Sequence, residues 1–145
     1  MVQDPEAVIG DWLKIGVKRI IVHVEAIKDF NYFKGECVKA GVQLMLALKP
    51  DTPTELLSLY LDQIDFIQVL AVNPGWAGQK FQSTVISKIE FFRKVAPEIK
   101  IEVDGGINPE IARLVKMAGA DIIVSANYIF SHQNPELAIR ELAQV

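Results

Sequence analysis

The chain has 145 residues, of which 50% are hydrophobic and 23% charged, and its formal net charge is −3. This composition predicts a soluble globular domain with enough apolar material for one core. It offers no basic stripe for nucleic acid and no polybasic patch for a membrane surface. No apolar run reaches the roughly 18 residues of a membrane span, and the first residues do not resemble a signal peptide. We therefore expect a cytoplasmic protein that binds neither nucleic acid nor membrane.

A single cysteine, Cys37, excludes an intramolecular disulfide. It lies in a segment with a helical pattern, where a free cysteine usually acts as a small packing residue. A chain with this cysteine usage is typical of a reducing compartment.

Apolar runs of strand length alternate with amphipathic segments of helix length. The runs are continuous and rich in aliphatic and β-branched residues, which is typical of strands buried on both faces of a parallel sheet. The predicted strands are Arg19 to Val24, Val42 to Leu48, Phe66 to Val72, Ile99 to Val103 and Asp121 to Ser125.

Six helices are predicted around these strands, and they are Pro5–Ile15, Ile27–Ala40, Pro53–Gln63, Ser83–Val95, Pro109–Ala118 and Pro135–Gln144. Three of them begin with a capping side chain followed by proline, at Asp51-Thr52-Pro53, Asn108-Pro109 and Asn134-Pro135. Gly16, Gly41 and Gly119 follow helices at positions where a left-handed residue is favoured.

The order α(βα)₅ predicts an α/β fold in which residues 1–145 form one domain. Right-handed βαβ units build either an open doubly wound sheet or a closed barrel, and the pattern alone does not choose between them. A closed eight-stranded barrel typically takes about 250 residues, so this chain is short for one.

The segment with the strongest chemical signal is 101–108, Ile-Glu-Val-Asp-Gly-Gly-Ile-Asn. Asp104 ends a buried strand, where a carboxylate can move a proton or hold a metal. Gly105 and Gly106 then allow backbone N–H groups near a helix start to approach an anion. The alternative is a plain tight turn.

A second segment, 73–81, also follows a strand and reads Asn-Pro-Gly-Trp-Ala-Gly-Gln-Lys-Phe. Its residues Gly75 to Gly78 predict a shaped loop, which with Gln79 would cover a polar ligand. The alternative is a simple connection that holds Trp76 against the core.

The third segment, 124–130, ends a strand and would offer backbone amides at Ala126 and Asn127 to a phosphate, or else form an ordinary helix cap. Of the two histidines, His23 ends the first strand and is expected to be a hydrogen-bonded structural residue, with a substrate role left open. His132 is expected to be only solvated. The sequence shows no His, Asp and Cys cluster with the spacing of metal ligands.

Together these segments resemble the ribulose-phosphate 3-epimerase family. Loop 73–81 resembles the loop after the family's sixth strand, 102–106 its seventh-strand motif, and 124–130 its eighth-strand phosphate site. Segments 22–26 and 48–53 resemble strands four and five with their loops. The resemblance implies a partial TIM (β/α) barrel of the ribulose-phosphate-binding type, with five parallel strands that correspond to the family's fourth to eighth.

The same resemblance implies interconversion of D-ribulose 5-phosphate and D-xylulose 5-phosphate through proton transfer at C3, assisted by a divalent metal such as Zn, Fe, Mn or Co. It identifies Asp104 as both a metal ligand and one acid/base. It identifies Gly75, Trp76, Ala77, Gly78, Gly105, Gly106, Ala126 and Asn127 as residues around the phosphosugar. Ala77 and Ala126 stand where glycine is common in the family.

The first three strands of the family have no counterpart in this sequence, and with them go two histidines and an aspartate among the metal ligands. We therefore expect low epimerase activity from this chain alone, and self-association through its open sheet edges. Two other functions remain open, a non-catalytic phosphosugar-binding or interaction module and a related phosphosugar isomerase or lyase.

Overall fold

The computed structural model describes residues 2–145 and contains one five-stranded sheet in which every neighbouring pair is parallel. The strands follow chain order across the sheet, and they are β1 (Arg19–His23), β2 (Gln43–Leu48), β3 (Phe66–Leu70), β4 (Lys100–Asp104) and β5 (Ile122–Val124). The prediction of five parallel strands with flanking helices is confirmed, and each predicted strand agrees with the observed one to within two residues at either end.

The strand register arranges side chains in rows across the sheet. One row consists of His23, Ala47, Gln68, Glu102 and Ile122. The next row toward the carboxyl ends contains Leu70, Asp104 and Val124. Because side chains alternate between the faces of a strand, both rows lie on the same face of the sheet.

Within residues 2–145, seven α-helices lie before, between and after these strands. They are α1 (Pro5–Lys14), α2 (Phe30–Ala40), α3 (Thr54–Ser58), α4 (Ile86–Val95), α5 (Pro109–Ala118), α6 (Asn127–Ser131) and α7 (Pro135–Ala143), with 3₁₀ turns at Leu61–Gln63 and Ser83–Val85. Two of the predicted caps are confirmed, since the side chains of Asn108 and Asn134 accept hydrogen bonds from the N–H groups of Ile111 and Leu137.

The predicted helix Pro53–Gln63 is wrong, because the structure has only the short α3 and a separate 3₁₀ turn there. Pro53 itself is the cap residue and makes no side-chain hydrogen bond, so the predicted cap at 51–53 is also wrong. The hydroxyl of Thr52 is turned away from the helix and donates to Glu25. At the other end, the Tyr60 ring packs on Phe30 with ring centroids 4.2 Å apart, in a backbone conformation outside the helical region.

Two further differences from the sequence prediction concern the start of α2 and the presence of α6. Helix α2 begins at Phe30 and not at Ile27, because Glu6 Oε1 accepts hydrogen bonds from the N–H groups of Lys28 and Asp29. Helix α6 follows β5 and was not predicted.

The core lies between the sheet and the helices on its outer face. Side chains such as Leu46, Ile67, Val103 and Phe92 are fully buried there, and Cys37 is buried among them as a free thiol, as predicted. No helix within residues 2–145 is long and apolar enough to cross a bilayer.

Candidate functional site

A cleft of about 870 Å³ lies at the carboxyl ends of the strands. Its walls come from β1, β3, β4 and β5 and from the loops that follow β3, β4 and β5. All the site residues predicted from the sequence line it, namely Gly75, Trp76, Ala77, Gly78, Asp104, Gly105, Gly106, Ala126 and Asn127. Parallel α/β folds usually carry their ligand sites on this side of the sheet.

Asp104 is the last residue of β4 and is only partly exposed to solvent. Burial, and secondarily the nearby charge of Glu102, raise the pKa of its carboxyl group above the ordinary value of 3.8. A carboxyl group with a raised pKa is better matched to proton transfer near neutral pH than an exposed one.

Glu102 is buried two residues before Asp104 on the same strand, and its sequence context predicted no role for it. Its carboxylate accepts a 2.7 Å hydrogen bond from Gln68 Nε2 and lies 3.8 Å from the guanidinium of Arg19. Gln68 and Glu102 are each a polar residue within an otherwise apolar run, and this pattern was the sequence signal from which their pairing could have been predicted. The pair anchors a negative charge beneath Asp104.

Gly105 and Gly106 form the turn that leaves β4, and both have positive φ, 121° and 67°. A Cβ atom at Gly105 would lie 2.8 Å from a methyl group of Val72, and one at Gly106 would lie 2.8 Å from the Cα atom of Phe81. The two glycines therefore permit the loops after β3 and β4 to touch, in addition to leaving their backbone open to the cleft.

The loop of residues 73–81 is held by its own polar side chains. Gln79 Nε2 donates to the carbonyl groups of Asn73 at 2.7 Å and Trp76 at 3.0 Å, so this amide stabilises the loop. The alternative in which Trp76 packs against the core is wrong, because the residue is 77% exposed. Its indole lies at the rim of the cleft.

The strand end at β5 contributes the remaining wall. Ser125 Oγ donates a 2.8 Å hydrogen bond to the carbonyl of Ile107 and thereby ties this end of β5 to the loop after β4. A Cβ atom at Gly78 would lie 3.6 Å from Asn127 Oδ1, so the loops after β3 and β5 also meet. The three predicted segments thus come together in one place.

His23 lines the cleft from β1, three strands away from Asp104 along the same face of the sheet. Its Nδ1 atom lies 3.2 Å from Glu25 Oε2, which confirms the expected hydrogen bond. Burial alone would raise the pKa of Glu25, but hydrogen bonds from His23, the Lys49 N–H and the Thr52 hydroxyl outweigh it and lower the pKa to about 2. His132, expected to be only solvated, contacts the backbone of Asn134 through its Nδ1 atom.

The metal site that the resemblance implies is not formed by these residues alone. Within residues 2–145, no group of three or more His, Cys, Asp or Glu side chains is arranged to hold a metal ion. Asp104 would supply a single carboxylate ligand, fewer than a stable protein site requires.

The parallel strands, the flanking helices and a cleft at the strand ends define the (β/α)-barrel class of fold. Solved structures agree with this class. The chain superimposes on a 3-hexulose-6-phosphate synthase with a TM-score of 0.64 and 18% identity, covering 99% of this chain and 68% of that one. The structure titled "Native KDPGal structure" gives 0.65 and 15%, with the same coverage. At these identities the likeness concerns the fold alone.

The sequence comparison is more specific. The Ribulose-phosphate 3 epimerase family matches residues 1–130, and the chain belongs to that family. A ribulose-phosphate 3-epimerase of Chlamydia muridarum is 39% identical over 136 residues, which cover 90% of this chain and 60% of the relative. Those of Bacillus subtilis and Schizosaccharomyces pombe are 34% and 33% identical, covering 98% of this chain in both cases and 68% and 62% of the relatives. The chain therefore spans roughly three fifths of the length of most of these curated relatives.

Proposed function

We propose that this chain forms the phosphosugar-binding part of a ribulose-phosphate 3-epimerase and supplies one of its acid/base groups, Asp104. The observation that carries the proposal is the position of Asp104, a carboxyl group with a raised pKa at the end of β4 inside a cleft lined by the glycine-rich loops. Membership of the family supplies the reaction, interconversion of D-ribulose 5-phosphate and D-xylulose 5-phosphate.

In this proposal Asp104 takes or returns the proton at C3 of the sugar. Burial disfavours its ionised form, which gives the carboxylate the basicity that abstraction of a weakly acidic C–H proton requires. The nearby charge of Glu102 adds to this effect on the pKa of Asp104.

The phosphate group would lie against the backbone of Gly105, Gly106, Ala126 and Asn127, and Gly75 to Gly78 with Trp76 would form the cover of the cleft. Two features support this assignment. The glycine turn leaves backbone N–H groups without covering side chains, and the three loops meet around one volume. Backbone amides arranged in this way bind anions.

We further propose that residues 1–145 form one incomplete barrel with low epimerase activity on its own. Inversion at a carbon needs proton donors and acceptors on both faces, and Asp104 serves one face. A divalent metal bound by Asp104 would need further ligands from outside residues 2–145, and for this reason the chemistry assigned here to Asp104 is that of an acid/base.

The experiment is to incubate the chain with D-ribulose 5-phosphate in D₂O and follow deuterium incorporation at C3 and xylulose 5-phosphate formation by NMR. We expect exchange far below the 1–10³ s⁻¹ of typical enzymes. Asp104→Asn should abolish what remains, by about 10²- to 10⁴-fold, and Asp62→Asn, which changes an exposed carboxylate, should not. Exchange that is unchanged by Asp104→Asn would overturn the assignment.

The second candidate function is a non-catalytic phosphosugar-binding module, and the lack of a metal-binding group within the described residues favours it. It predicts shifts of the Gly105 and Gly106 amide resonances on addition of the sugar phosphate, without deuterium at C3. A related phosphosugar isomerase or lyase would instead form a product other than xylulose 5-phosphate. Product analysis with several pentose and hexose phosphates as substrates would detect it.

A further inference from the structure

The end of β1 carries a polar network in which neither the glycine loops nor Asp104 take part. Its centre is Glu25, whose Oε1 atom accepts hydrogen bonds from the Lys49 N–H at 2.9 Å and from the Thr52 hydroxyl. Its other oxygen, Oε2, lies 3.2 Å from His23 Nδ1. Lys88 reaches the same loop from α4 and donates to the carbonyl groups of Thr52 and Lys49. This set of contacts leaves the Glu25 carboxylate little freedom to move.

The anchored carboxylate determines which nitrogen of His23 carries the proton. Hydrogen bonds keep the pKa of Glu25 at about 2, so the group is ionised at neutral pH and can only accept. The Nδ1 atom of His23 must therefore be the donor. In a neutral imidazole the Nε2 atom is then a free acceptor.

The position of His23 makes that acceptor available to a ligand. The side chain is 18% exposed, and its ring lines the cleft that also contains Asp104. Its Nε2 atom has no hydrogen-bond partner within residues 2–145, and it is not among the buried polar atoms of that range without one. Strand β1 is an edge strand and β4 is three strands away, so His23 and Asp104 face the cleft from different walls.

We propose that His23 is a substrate-contact residue that accepts a hydrogen bond from a hydroxyl group of the sugar through Nε2, and that Glu25 is the positioning residue that holds its tautomer and orientation. The inference rests on the proposed function, because it requires a phosphosugar in the cleft. It assigns the contact to the polyol part of the ligand, since the phosphate is expected at the glycine loops.

The first test is the tautomer of His23 in the unchanged protein, read from a long-range ¹H–¹⁵N spectrum of the imidazole groups. The chain has only two histidines, so comparison with the His132→Gln variant assigns both signals. His132 then serves as an internal reference in the unchanged protein and in the other variants. We expect the Nδ1–H form for His23. In Glu25→Gln, whose amide group can donate to Nδ1, the population should change to the Nε2–H form. Glu90→Gln removes the charge of an exposed carboxylate and should leave the spectrum unchanged. An Nε2–H form in the unchanged protein would overturn the proposal.

The second test is ligand binding, with D-ribulose 5-phosphate and inorganic phosphate as the two probes. The sugar phosphate should shift the His23 Nε2 resonance, and inorganic phosphate should shift only the Gly105 and Gly106 amides. His23→Ala should weaken binding of the sugar phosphate about 3- to 10-fold and leave that of inorganic phosphate unchanged within about 2-fold.

The outcomes separate this inference from the function on which it rests. If the sugar phosphate shifts the glycine amides but not His23, the cleft binds phosphosugars and the role of His23 is overturned. If it shifts neither, the proposed function and this inference both fail.

Discussion

At the scale of single residues, the turn after β4 depends on the absence of side chains. Gly106 has φ 67° and lies against the backbone of Phe81, where a Cβ atom would be 2.8 Å from the Cα atom. A methyl group there both strains the turn and separates two loops of the cleft.

Gly106→Ala should therefore lower the free energy of unfolding by about 2–4 kcal/mol, as measured by urea denaturation. Gly35→Ala is the matched control, because a Cβ atom at that position in α2 meets nothing within 4 Å. It should raise the stability by up to about 1 kcal/mol, since alanine is the better helix former. Equal effects of the two substitutions would contradict the assigned role of Gly106.

The Glu25 carboxylate makes the free energy of unfolding depend on pH in the acidic range. Its folded-state pKa of about 2 lies below the ordinary value of 4.5, so the unfolded chain binds the proton more readily. The resulting stabilisation is fully present above pH 4.5 and is lost as the pH falls toward 2.

Glu25→Gln should remove about 2 kcal/mol of stability at pH 7, after allowance for solvent screening, and should flatten the decline between pH 4.5 and pH 2. Thermal unfolding monitored by circular dichroism across this pH range measures both effects. Glu90→Gln serves again as the control, and a variant that kept the full acid-induced decline would show that other carboxylates account for it.

At the scale of elements, helix α5 follows Asp104 and the glycine turn, and its start is capped by Asn108. The side chain accepts a 2.9 Å hydrogen bond from the Ile111 N–H. The Asp51 side chain, two residues before Pro53, does not cap α3. The two predicted caps therefore differ in whether the capping hydrogen bond forms.

Asn108→Ala should cost about 1 kcal/mol in the free energy of unfolding, because it leaves an N–H group at the helix start without its partner. Asp51→Ala should change stability by less than about 0.5 kcal/mol. Urea denaturation of both variants is the measurement, and a larger loss for Asp51→Ala would mean that the α3 cap forms in solution.

At the scale of the whole molecule, the sheet has two edge strands, β1 and β5. Near the β1 edge, Ile21 is 44% exposed and Trp12 on α1 is 51% exposed. Exposed strand edges with neighbouring apolar side chains favour pairing with another chain. Self-association therefore remains a prediction, and the β1 edge with Ile21 and Trp12 is the surface on which it can be tested.

We expect the purified chain to form oligomers at micromolar concentrations, as measured by size-exclusion chromatography with light scattering. Trp12→Glu should shift the distribution toward the monomer by placing a charge on this surface. Leu59→Glu alters a residue that is 68% exposed in the connection after α3 and should have little effect. A monomer over the whole accessible concentration range would contradict the prediction.

The sequence by itself determined the five strands, most of the helices and the position of Asp104. Hydrophobic runs and caps such as that at Asn108 act between residues a few positions apart, so their physical basis is local and can be recognised in the sequence. The glycine turn and the loop after β3 were recognisable for the same reason, as was the fact that each follows a strand.

Only the tertiary structure decided the contacts between distant segments. Thr52 donates a hydrogen bond to Glu25, 27 residues away in sequence. This contact, together with the packing of Tyr60 on Phe30, explains why α3 is shorter than the predicted helix 53–63. The exposure of Trp76, the approach of Gly106 to Phe81 and the anchoring of Glu25 by the Lys49 N–H likewise depend on how separate βα units meet. Such contacts form only when the sheet brings strand ends together, because a local pattern contains no information about which distant group will satisfy a hydrogen bond.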